Sequence, residues 1–339
     1  MDLETLIKQS TATLLISNLT SASTATSTVA LCELRLLSKS DPSIRPFIAS
    51  VHSGAALTHL SSALLSTSSL SQENAAATLL NTSISVKHPL VSTPGLLDAI
   101  SHSLSSHRAA HYSPAAVQSA AATVYSLSLD PSLRPTLGSK RNIVCSLIDI
   151  VKTYDTDLKS VKDAVKALFG LALHPPNRKI ILELDGGTAL FDRVVFESQN
   201  NRVGVLEDVT AVIAQVAGFQ ASPEAFKSVG GIRVLVGLID LQAGGTRRRV
   251  RENAVSGLLK LVEFGGETLV EEIREIGLGF VLEGLKEIIH CGSEKGKIRA
   301  EALMNVLQTR LDSCSSTTIT FSENGSGFGS SPLLNSCSS

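Results

Sequence analysis

One helical phrase of about fourteen residues returns seven times, and it limits what this 339-residue chain can fold into. Its clearest copy is Val250-Arg251-Glu252-Asn253-Ala254-Val255-Ser256-Gly257-Leu258-Leu259-Lys260-Leu261. Three positions carry the recurrence: Ala254, Leu258 and Leu261. The matching trios are Ala30/Leu34/Leu37, Ala75/Leu79/Thr82, Ala120/Val124/Leu127, Ala164/Leu168/Leu171, Val209/Ile213/Val216 and Ala302/Val306/Thr309. The steps between leads are 45, 45, 44, 45, 45 and 48. Spacings of four and three put each trio on one helical stripe. A period this regular predicts a solenoid, which grows unit by unit without one globular core.

The residues between the trios repeat as well. Asp41-Pro42-Ser43-Ile44-Arg45-Pro46 returns as Asp130-Pro131-Ser132-Leu133-Arg134-Pro135, with related phrases at His88-Pro89, His174-Pro175 and Ser222-Pro223. Proline ends the long helix and fits the first turn of a short one. Glycine follows at Gly54, Gly95, Gly138, Gly186, Gly230 and Gly277, supplying the left-handed residue that turns the chain. A middle amphipathic helix and a polar connector complete each unit. The first unit has only the helix over 3–19 ahead of its long helix. From Asp312 the composition turns to Ser, Thr, Gly and Asn, so 312–339 reads as a disordered Ser/Gly-rich tail behind a solenoid over 1–311.

This unit resembles the armadillo repeat. The likeness rests on the glycine ahead of the middle helix, the Ala/Leu/Leu trio, and the phrases Gln72-Glu73-Asn74-Ala75-Ala76-Ala77-Thr78-Leu79-Leu80-Asn81, Arg251-Glu252-Asn253-Ala254-Val255 and Ser228-Val229-Gly230-Gly231-Ile232. In detail it resembles the C-terminal armadillo region of plant U-box ubiquitin ligases. The resemblance implies an all-α fold, a right-handed armadillo-type superhelix of three-helix repeats. It also implies protein recognition through a concave groove lined by the long helices. A U-box carries a CPI-type signature ahead of the repeats; none occurs here, so ligase activity is not carried over with the fold.

Under that resemblance, two columns face the groove: two residues after each trio's lead, and one before its last member. They include Asn81, Ser126, Lys166, Gln215, Ser256, Lys260 and Gln308. Import-receptor armadillo proteins place Trp and Asn in these columns. The chain has no Trp, and only Asn81 fits the Asn column, which argues against that role. Arg247, Arg248, Arg249 and Arg251 form the densest charge run. It reads as a solvated connector, as a nuclear import signal or, with Lys159, Lys162, Lys295, Lys297 and Arg299, as a basic lip for an acidic partner. Basic residues there oppose the helix dipole, so helix stability does not explain them.

The remaining chemistry is sparse. No phosphate loop, nucleophile elbow or HExxH helix occurs, so no catalytic residue and no cofactor is expected. His102, His107 and His111 cluster in a Ser-rich connector without a cysteine or acidic companion, and no metal is expected. A net charge of −1 gives no field for nucleic acid or acidic membranes. No apolar run is long enough to span a bilayer. Five scattered cysteines without a CxxC pair fit a reducing compartment, cytoplasmic or nuclear. The expected protein is a monomeric, non-catalytic scaffold. The alternative is a substrate-recognition part of the ubiquitin system.

Overall fold

A computed structural model describes residues 3–21, 23–109, 113–240 and 248–318, with side chains described as far as 309. These residues form helices and turns, with no strand among them. The first unit pairs Leu3–Asn18 with the long helix Thr24–Ser40. Later long helices are Ser69–Ser85, Pro114–Ser128, Leu158–Ala172, Val203–Val216, the opening of Arg248–Cys291, and Glu294–Thr318. Middle helices are Ala55–Leu64, Leu96–Ser105, Arg141–Lys152, Gly186–Gln199 and Gly231–Ile239, and the end of Arg248–Cys291 serves the last unit. That 44-residue helix is broken at Gly266 and Gly277, which gives it the three parts of a unit boundary.

Long helices pack on long helices and middle helices on middle helices from unit to unit, which makes two layers with the core between them. The polar connectors end in caps. Ser23, Ser68, Ser113 and Asp157 each accept a backbone N–H in the first turn of the long helix that follows, satisfying donors the helix cannot. Asp41 and Asp130 cap the short helices in the same way, accepting from the N–H of Ser43 and Ser132 at 2.8 and 2.9 Å.

Six trios lie in the core. All their members are buried except Leu37, which is half-buried against the core. The seventh is displaced by two residues. Ala300, Leu303 and Leu307 are fully buried, while Ala302 and Val306 are only partly so and Thr309 is exposed. The repeating stripe there is Ala300/Met304/Leu307, 46 residues after Ala254, which removes the outlying step of 48. The long helix of this unit continues to Thr318, past residue 311; residues 319–339 of the expected tail lie outside the described residues.

The repeated Arg in the proline phrases has a use the sequence did not suggest. Arg45, Arg134 and Arg178 each turn back from a short helix and donate Nε–H to the closing carbonyls of the preceding long helix: Ser38, Ser128 and Ala172, at 2.8, 2.8 and 2.9 Å. The guanidinium thus satisfies acceptors stranded at a helix end. In the next unit Ser222 Oγ takes this place on Val216 at 2.7 Å. Not every glycine is a turn, either. Gly138 sits inside Arg134–Ser139 with ordinary backbone, and a Cβ there would lie 2.1 Å from Asn177 Oδ1. The Asn177 amide needs that space to donate to Arg134 and Leu171 carbonyls at 2.9 and 3.0 Å. At the following boundary Asp185, not Gly186, holds the left-handed turn, with φ 63°.

Candidate functional site

The exposed side of the long-helix layer is the candidate binding face. Ala77, Ala122 and Ala211 occupy its first column in units two, three and five, half-buried and too small to fill it. Larger polar residues of the face reach one unit back. Asn81 Nδ2 donates to Ser38 Oγ at 3.1 Å, and Lys260 Nζ to the Ala214 carbonyl at 2.6 Å. Just outside the two columns, Asn253 Nδ2 donates to Thr210 Oγ1 at 3.1 Å, and Gln118 Nε2 to Asp163 Oδ2 at 3.1 Å. These bonds fix the register between successive long helices, so the face is a rigid floor.

The expected groove residues divide in three. Asn81, Lys166, Gln215 and Lys260 are half-buried on this face. Ser126 and Ser256 are 6% and 4% exposed, too little surface to meet a partner. Small residues at these positions let the neighbouring helix close over them; Gly170, in the column of Ser126, is the extreme case, with Ser128 Oγ where its Cβ would stand. Gln308 is exposed, but the two-residue correction moves the columns of the last unit to Ala302 and Val306.

The arginine run does not make one patch. Arg248 pairs with Glu252 at 3.6 Å and Arg249 with Glu207 at 3.8 Å. Arg251 points into the protein, 9% exposed, with Nη2 donating to Glu287 Oε2 at 2.8 Å and to the Gly284 carbonyl at 3.3 Å. Successive helical residues point about 100° apart, so a run in sequence scatters around the axis. Arg247 lies outside the described residues. Lys166 is likewise neutralised locally, by Asp163 at 3.6 Å. Nearby, burial pushes the Asp208 carboxyl up, and Lys166 and Lys162 hold it back in part.

A different set of cations stays together. Arg178 Nη1 donates to the Gly218 carbonyl at 3.0 Å. A Cβ on Gly218 would lie 2.8 Å from that Nη1 and 3.5 Å from Lys260 Cδ, so the two side chains meet over a bare backbone. Burial, then Arg178 and Arg299, push the Lys260 ammonium down to about 8, with Glu263 opposing. The folded state therefore binds fewer protons than the unfolded chain between about 8 and the ordinary lysine value, and stability rises with pH across that window. Below it the penalty of the buried charge is complete. The expected result is that the parent gains in Tm relative to Lys260→Met on going from pH ~7 to pH ~9.5. A constant difference between the two melting curves would show that the ammonium is hydrated.

His107 is locked in place. Its ring is buried, with Nδ1 2.9 Å from the Leu104 carbonyl and Nε2 3.2 Å from Asp149, which Arg108 also contacts. His111 lies outside the described residues, and among those described no three His, Cys, Asp or Glu side chains gather as metal ligands. No described helix is long and apolar enough to cross a membrane. Cys32, Cys145 and Cys291 are free thiols. At the amino end, a cleft of about 590 Å³ opens between the first helix and the first long helix, lined by Leu15, Leu36 and Leu37.

No family model matches the chain. It is similar to U-box domain-containing protein 17 of Arabidopsis thaliana, 28% identical over 304 residues, 89% of this chain and 39% of that protein. With U-box domain-containing protein 16 of the same plant the identity is 30% over 279 residues, 81% of this chain and 38% of the relative. The chain thus spans less than two fifths of the length of these curated relatives. Among solved structures, an engineered protein superposes with a TM-score of 0.70 at 19% identity, covering 88% of this chain and 68% of its own. A chain from a structure of the cadherin–β-catenin interaction gives 0.66 at 16% identity, covering 89% and 54%. At such identities the structural likeness speaks for the fold alone. Three-helix units of about 45 residues, stacked in two layers, together with these sequence relatives make the chain an armadillo-repeat protein related to the plant U-box proteins.

Proposed function

We propose that this chain is a non-catalytic scaffold that holds an extended segment of a partner protein along the exposed face of its long-helix layer. The observation that carries the reading is the floor of that face. Alanines recur in one column, leaving space, while Asn81, Gln118, Asn253 and Lys260 tie successive helices into a fixed spacing. A prearranged surface lowers the ordering cost of binding. The proposal includes a cytoplasmic or nuclear site of action, as the scattered thiols suggest. The test is a photo-crosslinking amino acid placed at Ala122 or Ala211, compared with one at exposed Val195 on a middle helix. Partner adducts are expected from the two face positions only. Equal capture at Val195, or capture there alone, would remove recognition from this face.

A second reading is favoured by the sequence relatives: the scaffold serves the ubiquitin system by selecting substrates. Under it, the crosslinked partners include a ubiquitin ligase, a ubiquitin-conjugating enzyme or a protein whose ubiquitination falls when the chain is removed. Partners whose ubiquitination is unchanged by that removal would count against it.

A further inference from the structure

Several cations of the long helices are neutralised within the protein. Arg35 pairs with Glu73, Lys166 with Asp163, Arg248 with Glu252, Arg249 with Glu207 and Arg251 with Glu287. Arg178, Lys260 and Arg299 are different. They come from three successive units, and none of them forms an ion pair with a described carboxylate. Arg178 and Lys260 spend donors on the closing carbonyls of the unit-five long helix, at Gly218 and Ala214, and that anchors both heads at one spot. Lys260 Nζ has three donors and one protein acceptor, and Arg178 has five with two acceptors. Both residues are half-buried, so the spare donors are not all enclosed by the protein.

Such an arrangement works against folding. A partly desolvated ammonium is repelled by the Arg178 and Arg299 guanidiniums, and the one opposing carboxylate, Glu263, is exposed and forms no ion pair with any of the three. Gly218 adds to the picture, because the absence of a side chain there leaves the two anchored heads uncovered. Like charges gathered by the fold and left unrelieved within it are a feature of sites kept for binding.

We propose that Arg178, Lys260 and Arg299 form the anion-recognising end of the face and seat a carboxylate side chain of an acidic segment in the partner. The inference rests on the scaffold reading above and names the chemistry of its partner. It also moves acidic recognition away from Arg248, Arg249 and Arg251, whose charges are already paired. A carboxylate placed here accepts charge-assisted bonds from Lys260 and from at least one guanidinium, and relieves their mutual repulsion.

The test uses the full chain and two fluorescein-labelled peptides, oligoglutamate and oligoglutamine, followed by fluorescence anisotropy. The parent is expected to bind oligoglutamate with an affinity that falls as salt rises, and to ignore oligoglutamine. Lys260→Gln and Arg178→Gln should each weaken binding about tenfold. Lys295→Gln, an exposed charge outside the cluster, should leave it unchanged. Lys260→Gln removes a like charge, so its melting temperature should not fall, which separates lost binding from lost folding. In spectra of 13C-labelled lysine, oligoglutamate should raise the pKa of Lys260. No salt-dependent binding by the parent, or equal weakening by Lys295→Gln, would overturn the proposal. If either occurs while the crosslinks from Ala122 and Ala211 persist, the scaffold reading stands and only the acidic chemistry is lost.

Discussion

Glu197→Ala is expected to destabilise the protein by roughly 3–5 kcal/mol, as removal of one partner of a buried ion pair does. Arg193 and Glu197 lie one turn apart on Gly186–Gln199, with both side chains fully buried and Nε 2.7 Å from Oε1. The guanidinium also donates from Nη1 to the Val151 and Thr153 carbonyls, both at 3.3 Å, and so closes the middle helix of the preceding unit. Phe196, itself against Tyr154, lies 5.3 Å beneath the guanidinium carbon. Burial already pushes the Arg193 pKa down, and Glu197 is the first group holding it up. Without that carboxylate the cation stays in the core with two carbonyls and a ring face for company. The double variant Arg193→Met/Glu197→Leu should recover most of the loss, because a packed apolar pair costs no desolvation. Urea denaturation followed by far-UV circular dichroism measures both. If Glu197→Ala unfolds at the parent's midpoint, water reaches the pair and it does not join the two units.

That pair marks where the sequence stops being readable. Arg and Glu four residues apart on a helix look like an exposed i,i+4 bridge, and nothing local says that the pair will be buried against the preceding unit. The trios were legible because a four–three spacing repeated at a near-constant step has few other physical meanings. The seventh misled because Ala302/Val306/Thr309 and Ala300/Met304/Leu307 share that spacing, and packing alone decided between them. Site residues were harder for a related reason. Column positions say which way a side chain points and not how closely the neighbour approaches. Ser126 is covered because it is small, whereas Lys260 in the same column emerges by its length; Ser256, in the other column, is covered as Ser126 is. The arginine run drew attention through composition, yet Arg251 is buried and Arg248 and Arg249 are paired. Arg178, Lys260 and Arg299 are 82 and 39 residues apart in the chain, and only the stacking of units gathers them. The signal that was available was an Arg four residues into three of the five proline phrases, at Arg45, Arg134 and Arg178. A polar residue kept at one place in a repeated phrase indicated a repeated contact.

Leu168→Ala should cost roughly 2–5 kcal/mol, the transfer loss of the side chain together with the cavity it leaves. Where the cost falls matters more than its size. Leu168 is fully buried in Leu158–Ala172, which packs against the long helices on both sides and against its own middle helix. In a solenoid each unit is held chiefly by its two neighbours, so weakening a central unit loosens the coupling between the halves. Hydrogen exchange should then show protection falling across units three to five, and the thermal transition should broaden. Leu34→Ala removes the same side chain from an equally buried position in the first unit, whose long helix has a neighbour on one side only. There the lost protection should stay within the first two units, with the central helices unchanged. If both variants lose protection evenly along the chain, the molecule unfolds as one cooperative body. The rigid floor assigned to the long-helix face would then depend on every unit at once, and binding at Arg178, Lys260 and Arg299 would weaken with a cavity placed anywhere in the stack.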